Sequence, residues 1–175
     1  MASPRKAFTG FVWMVILIAV SALSSCASST KIVKKDDSNS KLIEVLSKPD
    51  QDPTSWNHRR AADLLGAREA REGVPILLKD LDLPNERVVR RCTIALGKIG
   101  DPSAVPGLIE HLNGSFVRAA DEHVIGEALI ALGRIGARNP EVRSTIRPNL
   151  ERYAQGAGTK DQARWARKAL SFWKE

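Results

Sequence analysis

Two cysteines and three histidines are the residues of this 175-residue chain best suited to chemistry. A thiolate is a nucleophile and a soft metal ligand, and an imidazole changes charge near neutral pH. Zinc needs such groups at close, regular spacing, whereas His58, His111 and His123 form no His-x-x-x-His pair and flank no cysteine. Metal binding is therefore not expected. A serine nucleophile would sit on a Gly-x-Ser-x-Gly elbow, and the chain has none. The only glycine-containing candidate for a phosphate cradle, Ala154 to Lys160 (AQGAGTK), lacks the phosphate-loop spacing and follows no strand pattern, so it reads as a connection. No catalytic residue, and no small-molecule substrate, is expected from these side chains.

Cys26 has a different setting. Met1 to Gly10 carries Arg5 and Lys6, and Phe11 to Leu23 is an apolar run that ends in small residues, the three-part plan of a secretory signal over residues 1–25. A membrane-spanning helix needs about 20 apolar residues, and the serines at 24, 25, 28 and 29 cut this run short. The junction Leu23-Ser24-Ser25-Cys26 resembles the lipobox of bacterial lipoproteins. That resemblance implies cleavage between Ser25 and Cys26, diacylglycerol on the Cys26 thiol and an acylated new N-terminus. Each buried methylene would add about 0.8 kcal/mol of attachment, so two or more chains hold firmly. Covalent lipid on Cys26 is the only non-protein group expected. Ala27 and Ser28 follow, with no aspartate resembling an inner-membrane retention signal. The implied address is the cell envelope, lipid-anchored, on the outer membrane facing the periplasm if the host is Gram-negative. Residues 26–40 are rich in Ser, Lys and Asp and read as a flexible tether. Cys92 lies within a helical pattern, should not pair with Cys26, and would be protected by burial.

The remainder repeats. At an offset of 31, Arg60 matches Arg91, Leu65-Gly66 matches Leu96-Gly97, Val74-Pro75 matches Val105-Pro106, and Leu77 and Leu81 match Leu108 and Leu112. At an offset of 36, Ile94 to Gly100 (IALGKIG) matches Ile130 to Gly136 (IALGRIG). Val88, Cys92, Ala95, Leu96 and Ile99 recur at the 3- and 4-residue spacing of one helix face, which a neighbour must cover. Gly97 and Gly100 are expected in the chain reversal after that helix. Asp101-Pro102 then restarts the helix as a cap and first-turn proline, and Asn139-Pro140 repeats the device. The expected domain spans 41–173: a lone second helix at about 41–50, full units at 53–82, 84–113 and 116–153, and a lone first helix at 160–173. A hairpin cannot bury its own stripe, so at least about three units must stack.

The phrases A-L-G-[KR]-I-G and D-P-x-A-V-P-x-L-I-E-x-L resemble the HEAT-like repeats first named from phycobilisome lyases. The resemblance implies an all-α fold, a short right-handed α-solenoid of antiparallel hairpins, and a binding or scaffolding role rather than catalysis. A bilin-lyase-like enzyme is the alternative, disfavoured because fold likeness does not carry function and a lipobox removes the protein from a cytosolic pigment. Glu110-His111 and Glu122-His123 faintly resemble the His-Glu steps of HEAT-repeat deoxyhypusine hydroxylases, in reversed order and only twice.

Charge narrows the partner. The formal charge of +7 falls to +5 without Arg5 and Lys6, and residues 143–175 alone hold eight basic residues against three acids. The last helix places Trp165, Ala166, Ala169, Leu170, Phe172 and Trp173 on one arc and Arg164, Arg167 and Lys168 on the other, the candidate partner-binding cations. A polyanionic partner could meet that arc. HEAT-like DNA glycosylases use a basic face on duplex DNA, but export would separate this chain from nucleic acid, so none is expected as partner. Arg60 and Arg91, at matched positions, are expected to join neighbouring repeats through acids such as Asp101. The expected function is a lipid-anchored, non-enzymatic HEAT-repeat scaffold that holds a protein partner.

Overall fold

The computed structural model describes residues 32–49, 55–114 and 122–173. The signal segment, Ser25 and Cys26 lie outside these residues. Two units are distinguished, residues 1–32 and Val33–Glu175. Only Ile32 of the first is described, and the helices among the described residues belong to the second.

Eight α-helices and no strands occur among the described residues: α1 Asn39–Ser47, α2 Trp56–Ala67, α3 Val74–Lys79, α4 Glu86–Ile99, α5 Val105–Asn113, α6 Glu122–Arg138, α7 Arg143–Ala154 and α8 Lys160–Ser171. The most extensive contacts join α2 to α4, α4 to α6 and α6 to α8, a layer of first helices. The second helices α1, α3, α5 and α7 pack alongside them. This is an all-α, HEAT-like solenoid. It opens on a lone second helix and closes on a lone first one. The repeat arithmetic appears directly in the core, where Leu65, Leu96 and Leu132, one helix step apart, are all fully buried, as are Leu77 and Leu108. Such a stripe on each face is what drives stacking.

One side of the layer is built for contact at the shortest range. A Cβ on Gly66 would lie 2.7 Å from the Ala95 Cα, one on Gly97 would lie 2.8 Å from the Ala131 Cα, and one on Gly133 would lie 2.8 Å from the Ala169 Cα. Each of α2, α4 and α6 thus presents glycine to an alanine of the next first helix, at matched positions. Gly97, expected in the reversal after α4, lies instead inside α4, and only Gly100, with φ of +72°, takes the left-handed cap. Glycine is used here for close approach in one place and for a turn in the other.

Other departures have equally local causes. α6 runs through Gly136, the match of Gly100, because its stop comes only with Pro140, whereas Pro102 follows Gly100 after a single residue. Asp101 accepts from the Ser103 N–H at 2.9 Å and caps its turn. Asn139 makes no such cap; its amide donates to the carbonyls of Gly100 and Ile135, each at 2.9 Å, satisfying helix-end acceptors in two repeats. The expected tether is shorter at its end. Val33 is buried with its N–H donating to Asn57 Oδ1 at 2.9 Å, Arg68 donates to the Asp37 carbonyl at 2.6 Å, and Ser38 caps a helix that begins at Asn39. Asn57 on α2 and Arg68 at its end supply what the composition of residues 33–38 lacks.

The seam predicts a specific sensitivity. Gly97→Ala should lower stability by about 1–3 kcal/mol, the usual penalty for overpacking, read as a lower urea midpoint. Adding Ala131→Gly removes one of two collisions and should recover only part of the loss; a neutral Gly97→Ala would refute contact at this range.

Candidate functional site

An open groove of about 610 Å³ runs across the C-terminal halves of the four first helices. Its small or apolar residues are Gly66 and Ala67 of α2, Gly97 of α4, Ala137 of α6 and Phe172 just after α8. Lys98, Arg134, Arg138 and Lys168 face one carboxylate, Glu69. The seam explains the floor, because the glycines that let helices touch also leave no side chain to fill the surface above them.

Arg138 is tied to the two preceding repeats. Its guanidinium donates to the carbonyls of Lys98 at 2.6 Å and Ile99 at 3.1 Å, and to Glu69 Oε1 at 2.8 Å. The first two satisfy the exposed end of α4. Lys98, Arg134 and Lys168 are exposed, and their side chains make no hydrogen bond or ion pair among the described residues.

The other expected site residues are placed as follows. Lys168 alone of the proposed basic arc lines the groove. Arg164 pairs with Asp161 at 3.0 Å, and Arg167 donates to the Ala154 carbonyl at 3.1 Å, so both are engaged locally. Arg91 reaches Asp63 of the preceding repeat at 3.4 Å. Asp101 meets Arg71 at 3.8 Å, which corrects the expected pairing with Arg60 or Arg91: Arg71 lies in the preceding loop, on the same side as the Asp101 cap. The Arg60 Nε is buried with no hydrogen-bond partner. On α8, Ala166 and Ala169 are buried, as is Trp173 beyond its end. The Trp173 indole donates to the Gly133 carbonyl at 2.7 Å, and Arg143 and Arg147 lie 5.8 and 5.5 Å from its ring. A capping box of Thr159 and Gln162 starts that helix.

Perturbed titration points away from the groove. Asp80, in the turn after α3, is buried, and its Oδ2 has no hydrogen-bond partner. Burial pushes its carboxyl up to about 6, opposed by the nearby charges of His58 and Lys79. Burial also raises the Cys92 thiol well above its ordinary value, with the charges of Asp80 and Asp63 adding to the effect. The thiolate is disfavoured, so Cys92 behaves as a core side chain rather than an activated nucleophile. His111 is buried as well, which lowers its pKa against the pull of Asp82. Among the described residues no three His, Cys, Asp or Glu gather as a metal site, and no helix is long and apolar enough to cross a membrane.

Two positions of the groove carry a sequence signal that the helical arcs alone do not reveal. Lys98 and Arg134 are the variable letter of A-L-G-[KR]-I-G, a repeated positive charge one residue after the seam glycines Gly97 and Gly133. Arg138 has no such signal, since its match at the offset of 36 is Pro102.

Residues 39–120 match the family model for HEAT repeats. The matched stretch takes in the lone opening helix and the first two full hairpins, α1 to α5. HEAT repeats commonly mediate protein–protein interaction, and the groove lies across the layer of first helices that the repeat builds. No curated protein matches the chain.

Asp80 gives a pH-dependent prediction. Its pKa is about 6 folded against an ordinary 3.8, so ionisation opposes folding, fully above the higher value and not at all below the lower one. Asp80→Asn should therefore be more stable than the parent at neutral pH by about 1–2 kcal/mol, allowing for screening. Thermal unfolding should show that gap closing as pH falls to about 4; a gap independent of pH would mean that the carboxyl is not held in this way.

Proposed function

We propose that the chain is a lipid-anchored, non-catalytic HEAT-repeat scaffold of the bacterial envelope that holds a protein partner. One observation carries the binding half of this reading: the first helices present a continuous open groove whose rim keeps three cations unengaged. A hairpin stack offers long, nearly rigid surfaces, and such surfaces suit protein recognition. The anchoring half rests on the Arg5-Lys6, Phe11–Leu23 and Leu23-Ser24-Ser25-Cys26 succession. On this reading Cys26 carries the lipid, and the residues between Cys26 and Val33 span the distance from the bilayer surface to the folded unit.

Two measurements test the halves separately. Intact mass of protein extracted from membranes should give a chain that starts at Cys26 and carries acyl mass, with Cys26→Ala remaining unprocessed; an unmodified full-length parent would remove the anchor. A photo-cross-linking residue at Ala67, in the groove, should yield a discrete protein adduct in cells, and one at exposed Arg87, outside it, should yield far less. Equal or absent adducts would remove the groove as the partner surface.

A further inference from the structure

We infer that the groove takes an extended, carboxylate-bearing segment of the partner, with its acidic side chains meeting Lys98, Arg134 and Lys168. The inference deepens the scaffold reading and rests on it. Several cations elsewhere on these helices are engaged: Arg90 pairs with Glu127, Arg91 with Asp63 and Arg164 with Asp161. Lys98, Arg134 and Lys168 are not, and they gather at one groove, where Glu69, the only carboxylate on the lining, is already bound to Arg138. Charge left unpaired in this way is complementary to an acidic partner.

The spacing selects an extended chain. Lys98 and Arg134 hold the same place in successive repeats, so they lie about one helix step apart, roughly 8–10 Å. Three residues of extended polyproline II chain rise about 9 Å and return to the same face. Carboxylates three residues apart would therefore meet successive cations, while the residues between them face Gly66, Ala67, Gly97 and Ala137. That floor lets a main chain approach closely and leaves space only for small side chains. A single-stranded nucleic acid would instead need rings on which successive bases stack, and Phe172 is the only ring on the lining.

The test pans a random peptide display library on the full chain held in a neutral detergent. Enriched peptides should carry Asp or Glu three residues apart with small apolar residues between them. Binding of a synthetic peptide with the enriched sequence should fall at least tenfold in the triple variant Lys98→Glu, Arg134→Glu, Lys168→Glu, whose exposed positions should leave the helical circular dichroism unchanged. The single variant Lys168→Gln should give a smaller loss, which keeps the test readable if the triple variant misfolds. Failure to enrich acidic peptides, or enriched peptides that bind the variants as well as the parent, would overturn the inference. So would cation-dependent binding of a 20-mer oligonucleotide or of phosphatidylglycerol vesicles that exceeds peptide binding at the same salt. If the Ala67 cross-link to a protein persists in the triple variant, the scaffold reading stands and only the acidic segment fails.

Discussion

Everything in this fold depends on how closely one first helix can approach the next. Gly66, Gly97 and Gly133 each face an alanine at a range where even one added methyl would collide with backbone. Glycine inside a helix costs about 1 kcal/mol relative to alanine, and three such positions in register would be a poor choice for helix stability alone. Their return is close contact between neighbouring helices. Dispersion contacts and apolar burial at Leu65, Leu96 and Leu132 then accumulate from repeat to repeat.

The same constraint shapes the surface. Helices that touch through glycine leave a shallow, nearly bare floor, and the residues after Gly97 and Gly133, Lys98 and Arg134, stand at its edge. Arg138 completes the helix ends by filling the space beside Gly100 and taking up the last carbonyls of α4. At the far end, Trp173 uses the Gly133 carbonyl and the open flank of Gly136, so the final helix is seated by the same small residues that space the others. The floor of the groove is therefore a by-product of stability, whereas its free cations contribute nothing evident to folding.

Much of this was legible in the repeat arithmetic, because matched leucines must be buried in the same way in every unit. Helix type and hairpin order follow from that demand. Glycine was harder to read, since its two uses leave the same letter in the sequence: Gly97 serves close approach, whereas Gly100 serves the turn. Asn139 and Asp101 likewise occupy the same place before proline, yet one donates and the other accepts. The docking of residues 33–38 could not be read from their own composition, since the groups that hold them, Asn57 and Arg68, come from α2 and its end. Nor could the partner of Asp101 be read, because Arg71 lies outside the matched positions.

The contact spacing of the first helices is most directly tested by a distance. Spin labels at Ala67→Cys on α2 and Arg134→Cys on α6, in a chain carrying Cys26→Ala with buried Cys92 left in place, sit at matched positions two helix steps apart. Helices packed through glycine predict one narrow distribution near two close-packed spacings, about 16–20 Å before the length of the labels is added. A broad distribution, or a mean that requires wider spacing, would contradict a stack held at contact by its glycines.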